Sequence, residues 1–126
     1  RQCLDHFKGK ETEHQHQVAL IQWAELASRL RPELKLLAAT PNAAKRTPRM
    51  GAYMKAEGLK SGYPDLSMGL PRLNSGGLYI ELKRPGGRVS PEQKEWLERL
   101  NAYGNHAVVC FNWLDARNEI LNYCRS

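Results

Sequence analysis

One stretch in the second half of the chain decides the fold: LYIELKRPGGRVSPEQKEWLERLNAYGNHAVVCF (residues 78–111). Apolar and polar side chains alternate from Leu78 to Lys83, which is typical of a β-strand with one buried face. A Gly-Gly pair ends that strand, and Ser-Pro is typical of the first residues of a helix, expected here from Ser90 to about Tyr103. His106 to Phe111 is expected to be the next strand. Because a strand, a helix and a strand in succession form a crossover, part of the sheet should be parallel, which predicts an α/β fold with helices on both faces.

The rest of the chain is expected to add three helices and two strands to this unit, within a single domain spanning residues 1–126. The polar residues 1–11 are expected to be a frayed end. Thr12 and Gln15 have the spacing of a capping box, which marks the start of the first helix. Outside the crossover, the predicted elements are a helix from Thr12 to just before Pro32, a buried strand from Leu34 to Ala39, a short helix from Gly51 to Glu57, a strand from Pro64 to Met68 and a helix from Trp113 to about Cys124.

Composition bounds the class of protein and its partners. The chain has 126 residues, 41% of them hydrophobic and 25% charged, which is enough for one domain with its own core. Its net charge of +6 favours a polyanionic partner, although an ordinary positive surface is the alternative. No apolar run approaches the ~20 residues of a membrane span, and no leader peptide is visible. We therefore expect no contact with a membrane.

Cysteine and histidine usage argues against structural metal or disulfide frameworks. The three cysteines are an odd number without CxxC spacing, which favours a reduced, intracellular and cytoplasmic location. The four histidines lack metal-ligand spacing with one another, so we expect them to be surface or packing residues.

Two acidic side chains and a lysine are expected to meet on neighbouring strands. The alternation places Glu81 and Lys83 on the same face of one strand, about 7 Å apart. Asp65 lies in the preceding predicted strand, after a Gly-Tyr-Pro turn. Carboxylate oxygens are ligands that Mg²⁺ and Mn²⁺ prefer, and such an ion polarises a phosphoryl oxygen and lowers the pKa of a bound water. The three residues together indicate metal-dependent phosphoryl chemistry. Taken singly, a Pro-Asp turn and a solvated Glu-x-Lys face are the alternatives.

These motifs carry a resemblance to a known family. Gly62-Tyr63-Pro64-Asp65, Glu81-Leu82-Lys83 and Ser90-Pro91-Glu92-Gln93 resemble the VRR-NUC branch of the PD-(D/E)XK nucleases. The resemblance runs from about Glu13 to Cys110. It implies a restriction-endonuclease-like αβββαβ core, in which a four-stranded mixed sheet with an antiparallel second strand is flanked by helices.

The resemblance also implies a role for each motif residue. Asp65 and Glu81 match the family's metal-binding acids, and the Leu82 backbone carbonyl matches a further ligand of Mg²⁺ or Mn²⁺. Lys83 matches the catalytic lysine, and Gln93 matches a glutamine that points into the site. Glu13 matches the acid that completes the metal site. Without the family, the preferred interpretation of Glu13 is a carboxylate that favours a helix N-terminus. The alternative for Gln93 is an exposed helix residue.

A basic segment precedes the Pro-Asp strand, where the family has a polar and basic stretch. We expect phosphate contacts from this segment and from two flanking residues, with a solvated loop as the alternative for any one of them. The residues are Asn42, Lys45, Arg46, Arg49, Lys60 and Arg84.

The resemblance implies a metal-dependent, structure-selective DNA endonuclease. The chain is expected to be the nuclease core alone, and stand-alone members of the family resemble Holliday-junction resolvases. A four-way junction has two opposed strands to cut, so a homodimer is expected. The alternatives are a flap-specific or general DNA nuclease and a non-catalytic DNA-binding module with the same fold.

Overall fold

A four-stranded mixed sheet lies at the centre of the part of the chain that the computed structural model describes, residues 11–41 and 48–126. Strand order is β1-β2-β3-β4; β2 is antiparallel to both of its neighbours, and β3 and β4 are parallel. The α/β class and the parallel crossover are therefore confirmed. In chain order the elements are α1 (Glu13–Ala27), a 3₁₀-helix (Pro32–Leu36), β1 (Leu37–Ala39), α2 (Pro48–Ala56), β2 (Leu66–Met68), β3 (Leu78–Leu82), α3 (Pro91–Ala102), β4 (His106–Cys110) and α4 (Trp113–Arg125).

The two faces of β3 meet different helices. Leu78, Ile80 and Leu82 are buried in the main core, which α1 and α4 cover. The alternate residues Tyr79 and Glu81 lie on the opposite face, toward α3. The strand is thus covered on both sides: Tyr79 is half-buried and Glu81 is fully buried on the side of α3. This enclosure positions the acidic side chain discussed below.

The helices α1 and α3 both begin with a capping box. The Gln15 N–H donates to Thr12 Oγ1 over 3.2 Å, and the Thr12 N–H donates to Gln15 Oε1 over 2.9 Å. The Gln93 N–H donates to Ser90 Oγ over 3.1 Å, and the Ser90 N–H donates to Gln93 Oε1 over 2.8 Å. Each box satisfies backbone donors that a helix N-terminus leaves without an intrahelical acceptor.

The segment after α1 differs from the prediction. The first helix ends at Ala27, several residues before Pro32, and a 3₁₀-helix occupies Pro32–Leu36 where a buried strand was expected. Proline has its φ preset for a helical first turn, so it starts this short helix. Only Leu34 reaches the core, at 2% exposure. The strand itself is reduced to Leu37–Ala39, and its exposed alanines reflect its position at the edge of the sheet.

Smaller differences concern the middle of the chain. The helix predicted from Gly51 to Glu57 is α2, which begins at Pro48 and ends at Ala56, so it includes Arg49 of the predicted basic segment. Strand β2 begins at Leu66, because Pro64 lacks the N–H that a strand interior needs. The predicted frayed end lies outside the described residues over positions 1–10. No helix in the described ranges is long and apolar enough to cross a membrane.

A histidine ties the first helix to the last. His16 is fully buried, and its Nδ1 accepts the Trp113 N–H over 3.1 Å. Burial lowers the pKa of His16, against the opposing effect of the Glu11 charge, so the ring stays neutral with Nδ1 as an acceptor. Trp113 is the first residue of α4, where the backbone N–H needs a partner from outside the helix. The packing role predicted for the histidines is confirmed at this position.

Candidate active site

The end of β3 carries a buried acid and a buried lysine on the same face. Glu81 is 1% exposed and Lys83 is 7% exposed. The Lys83 Nζ lies 3.9 Å from Glu81 Oε2. The Lys83 N–H donates to the Cys110 carbonyl over 2.8 Å, which extends the pairing with β4 one residue beyond β3. Pairing with the neighbouring strand therefore holds the lysine beside the acid, as the alternation of side chains predicted.

Asp65 is fixed next to these residues by two hydrogen bonds. The Leu82 N–H donates to Asp65 Oδ2 over 2.9 Å. The Thr40 N–H donates to the Asp65 backbone carbonyl over 2.8 Å. The carboxylate is thereby attached to the backbone of the residue between Glu81 and Lys83. Sequence spacing did not predict this bond, and the role predicted for Leu82 involved its carbonyl oxygen, which stays a prediction.

Gln93 joins the first turn of α3 to Glu81. Its Nε2 donates to Glu81 Oε2 over 3.0 Å, while its Oε1 accepts the Ser90 N–H over 2.8 Å. The capping box thus consumes the amide oxygen and leaves the amide NH₂ directed at the acid. The sequence Ser-Pro-Glu-Gln, with its Ser-x-x-Gln spacing, carried the signal for this orientation.

Glu13 approaches the same lysine from the first turn of α1. Its Oε2 lies 3.9 Å from Lys83 Nζ, and its side chain is 42% exposed. Lys83 therefore has two acids within 4 Å of its ammonium, one buried and one partly open to solvent. The structure brings together four side chains predicted for the site, Glu13, Glu81, Lys83 and Gln93, and it attaches Asp65 to them through the Leu82 amide.

Burial dominates the electrostatics of the site. The pKa of Glu81 is raised to about 9, first by its removal from solvent and then by the nearby negative charge of Asp65. Lys83 acts in the opposite direction, and Glu13 adds a smaller increase. A carboxylate in this position is ionised at neutral pH only if further positive charge is supplied.

A divalent cation fits that need. Glu81 Oε1 is buried and has no hydrogen-bond partner among the described residues, whereas Oε2 is held by Gln93. Within residues 11–41 and 48–126, no three His, Cys, Asp or Glu side chains form a ready cluster around one point. Mg²⁺ is commonly held by one or two carboxylates, with waters and substrate phosphates as its other ligands. The pair Asp65 and Glu81 meets that requirement.

The predicted phosphate-binding residues divide into two groups. Arg49 lies in the first turn of α2, Lys60 in the loop that precedes Asp65, and Arg84 directly after Lys83, all three exposed to solvent. Arg84 is joined to the site by sequence adjacency to Lys83, and its exposed guanidinium donates a hydrogen bond to the neighbouring Pro85 carbonyl over 3.4 Å. The other three predicted residues, Asn42, Lys45 and Arg46, lie outside the described part of the chain.

Comparisons with known proteins point to one family. The family model described as the VRR-NUC domain matches residues 5–111, a range that contains every side chain of the site. A solved structure described as a VRR_NUC domain protein is 30% identical to this chain and similar to it with a TM-score of 0.78. The similarity covers 94% of this chain and 92% of that chain. No curated protein matches the chain significantly.

Proposed function

The chain belongs to the VRR-NUC domain family of PD-(D/E)XK nucleases, and from this premise we propose that it is a metal-dependent, structure-selective DNA endonuclease. Its substrate in this proposal is branched DNA, foremost the four-way junction, and its reaction is hydrolysis of a phosphodiester bond. Family membership implies a nuclease whose chemistry is generally dependent on a divalent metal ion and whose substrate is DNA. Beyond what family membership implies, we propose that the cutting is endonucleolytic, that the preferred substrate is the four-way junction and that the ion is Mg²⁺ or Mn²⁺.

The observation that carries the proposal is the buried carboxylate of Glu81 beside the buried ammonium of Lys83. A structural strand gains nothing from enclosing these two groups, since both lose hydration and their contact of 3.9 Å is long for an ion pair. A nuclease gains from it, because a dry site strengthens every electrostatic interaction with a phosphate.

Each residue has a task in the proposed hydrolysis. Asp65 and Glu81 supply the oxygens that hold the metal ion, with Glu13 as a further acid beside them. When bound, the ion polarises a phosphoryl oxygen and makes water a better nucleophile. The Lys83 ammonium donates hydrogen bonds that orient the attacking water and offset the charge that accumulates on the phosphate.

Gln93 has a positioning task in the same scheme. It holds Glu81 Oε2, and Oε1, which has no hydrogen-bond partner among the described residues, is left to bind the ion. In the overall reaction the water oxygen bonds to phosphorus as one ester P–O bond breaks. The products are a phosphate monoester end and a free hydroxyl end.

The charge of the chain supports DNA as the substrate. The net charge of +6 favours a polyanion through the release of counterions. The exposed Arg49, Lys60 and Arg84 are proposed to contact backbone phosphates, as are Asn42, Lys45 and Arg46. Phosphate contacts position DNA without reading its sequence, so the proposed selectivity is for DNA shape.

A four-way junction is proposed because some VRR-NUC domains resemble Holliday-junction resolvases. One such centre cuts one strand, so symmetric cutting of two opposed strands requires two copies. We therefore propose an isologous homodimer as the active form.

A substrate panel tests this proposal. Labelled four-way junction, 5′-flap and plain duplex DNA are incubated with the protein in Mg²⁺, Mn²⁺ or EDTA. We expect symmetric cutting of the junction, with at least tenfold preference over the duplex, in either metal ion. Static light scattering of the same preparation at micromolar concentration should give the mass of a dimer.

The other outcomes of the substrate panel distinguish the alternative functions. Preferential cutting of flaps or duplex would retain the nuclease and overturn the junction preference. Binding that persists in EDTA without cutting in any metal ion would identify a non-catalytic DNA-binding module. A monomeric mass under conditions of symmetric junction cutting would overturn the homodimer.

A further inference from the structure

The backbone of the loop before Asp65 is in direct contact with the first turn of α3. Gly62 has a φ of +82°, a conformation that residues with a side chain rarely adopt. A Cβ at this position would lie 2.7 Å from the Glu92 carbonyl carbon, 2.8 Å from Glu92 Cβ and 2.9 Å from the Gln93 nitrogen. Two of these three atoms are backbone, so no side-chain rotation relieves the overlap. Only glycine allows this close approach.

The next residue inserts its ring between α3 and β3. The Tyr63 ring meets Trp96 of α3 edge-on, with centroids 4.9 Å apart and an interplanar angle of 75°. It also meets Tyr79 of β3 edge-on, at 6.2 Å and 85°. Such edge-to-face pairs add stabilisation beyond the apolar area that they bury. Gly62 and Tyr63 together, named the clasp below, thus join the loop to both elements.

Two series of contacts connect the clasp to the candidate metal ligands, one to Asp65 and one to Glu81. On one side, the loop continues through Pro64 to Asp65, whose carboxylate accepts the Leu82 N–H. On the other side, the turn of α3 that touches Gly62 carries Gln93, which holds Glu81 Oε2. The relative position of the two acids therefore depends on how closely the loop and α3 approach each other.

We propose that Gly62 and Tyr63 are positioning residues that set the separation of Asp65 and Glu81 and so determine the affinity of the site for its divalent ion. The inference rests on the proposed metal-dependent function. A methyl group at position 62 forces the loop and α3 apart. That displacement lengthens the Gln93–Glu81 or the Asp65–Leu82 hydrogen bond, although neither clasp residue touches the ion or the substrate.

Gly62→Ala is the first test, with Gly58→Ala as its matched control. Gly58 also has a positive φ, of +107°, but no atom lies within 4 Å of the position its Cβ would take. Both variants carry the backbone strain, and only Gly62→Ala carries the overlap with α3. We expect Gly62→Ala to weaken Mn²⁺ binding by at least tenfold in calorimetry and to lower kcat for DNA cleavage by at least tenfold. KM for DNA should stay within about threefold, and Gly58→Ala should behave as the wild type.

A second readout needs neither metal nor activity. The side-chain amide resonances of Gln93 in ¹⁵N-labelled protein can be assigned by their loss in Gln93→Glu. We expect them to be displaced from those of exposed glutamines in the wild type and in Gly58→Ala. In Gly62→Ala they should move toward the exposed position.

Tyr63 variants retain a test if Gly62→Ala does not fold. Tyr63→Phe keeps both ring contacts, so its Mn²⁺ affinity and Gln93 resonance positions should match the wild type. Tyr63→Ala removes the ring contacts, so its Mn²⁺ affinity should fall and its Gln93 resonances should move toward the exposed position. Recovery by the conservative variant separates positioning from a need for the hydroxyl group.

The outcomes distinguish this inference from the proposed function. Wild-type Mn²⁺ affinity, kcat and Gln93 resonances in folded Gly62→Ala would overturn the clasp while leaving the nuclease intact. If wild-type protein cuts no DNA, the proposed function fails, and the Gln93 resonances still decide the clasp. If Gly58→Ala loses as much Mn²⁺ affinity and kcat as Gly62→Ala, backbone strain alone explains the effect, and the positioning role of the clasp is overturned.

Discussion

Lys83→Met should reduce kcat for DNA cleavage by about 10²- to 10³-fold, the range observed when one preorganised electrostatic donor is removed from an active site. Methionine keeps most of the apolar stem that lies in the buried position and removes only the ammonium group. The loss should therefore appear in kcat, measured by single-turnover cleavage, with the protein still folded. Binding of DNA in Ca²⁺, measured by fluorescence anisotropy, should change by less than about threefold, since one of many positive charges is lost.

Lys94→Met is the matched control, because Lys94 is an exposed lysine on α3. It removes the same charge from the chain without touching the site. Equal cleavage by Lys83→Met and wild type would contradict the assignment of Lys83. An equal reduction in both variants would show that net charge, and not the position of Lys83, accounts for the effect.

Glu81→Gln should make the protein more stable at alkaline pH while abolishing its activity. The pKa of Glu81 in the folded state is about 9, raised from an ordinary value of 4.5, mainly by burial. The folded protein thus holds the Glu81 proton more tightly than the unfolded chain does. This contribution to stability is complete below pH 4.5 and is lost progressively as pH rises from 4.5 to about 9. Glutamine stays neutral and keeps an oxygen that accepts from Gln93.

Thermal unfolding in EDTA checks this prediction. We expect the Tm of Glu81→Gln to exceed that of the wild type by roughly 5 °C at pH 8.5, corresponding to ~1 kcal/mol or more for a domain of this size. The difference should shrink toward pH 5. Addition of Mg²⁺ should raise the Tm of the wild type alone, because binding to the folded state stabilises it.

Glu98→Gln, which changes an exposed acid on α3, should follow the wild-type pH profile. A Tm difference between Glu81→Gln and wild type that does not vary with pH would contradict the raised pKa. A wild-type Tm that Mg²⁺ leaves unchanged would contradict the binding of that ion at Glu81.

Local patterns in the sequence predicted much of the structure. The alternation from Leu78 to Lys83 predicted the strand and the shared face of its acid and lysine, since side-chain direction in a strand is a property of neighbouring residues. The Ser-Pro start predicted α3 for the same reason. The prediction of a buried strand from Leu34 to Ala39 was wrong for its first half. An apolar run between prolines does not distinguish a buried strand from a 3₁₀-helix with one buried residue.

Contacts between distant parts of the chain were not predictable from spacing. The bond from the Leu82 amide to Asp65 depends on the register of β2 and β3, and the contact of Gly62 with α3 depends on how a loop packs on a helix. The residues of the site were found from their chemistry and from the family resemblance. Their separations, and the degree to which Glu81 is buried, followed only from the fold.

Metal dependence of cleavage tests the central claim most directly. Wild-type protein and Asp65→Asn are incubated with labelled four-way junction and duplex DNA in Mg²⁺, in Mn²⁺ and in EDTA. Asparagine keeps an oxygen that can accept the Leu82 N–H but removes the charge that a divalent ion requires. We expect cutting by the wild type in the metal ions alone and at least 10²-fold less by Asp65→Asn. Cutting in EDTA, or equal cutting by the two proteins, would contradict a metal-dependent nuclease centre at Asp65 and Glu81.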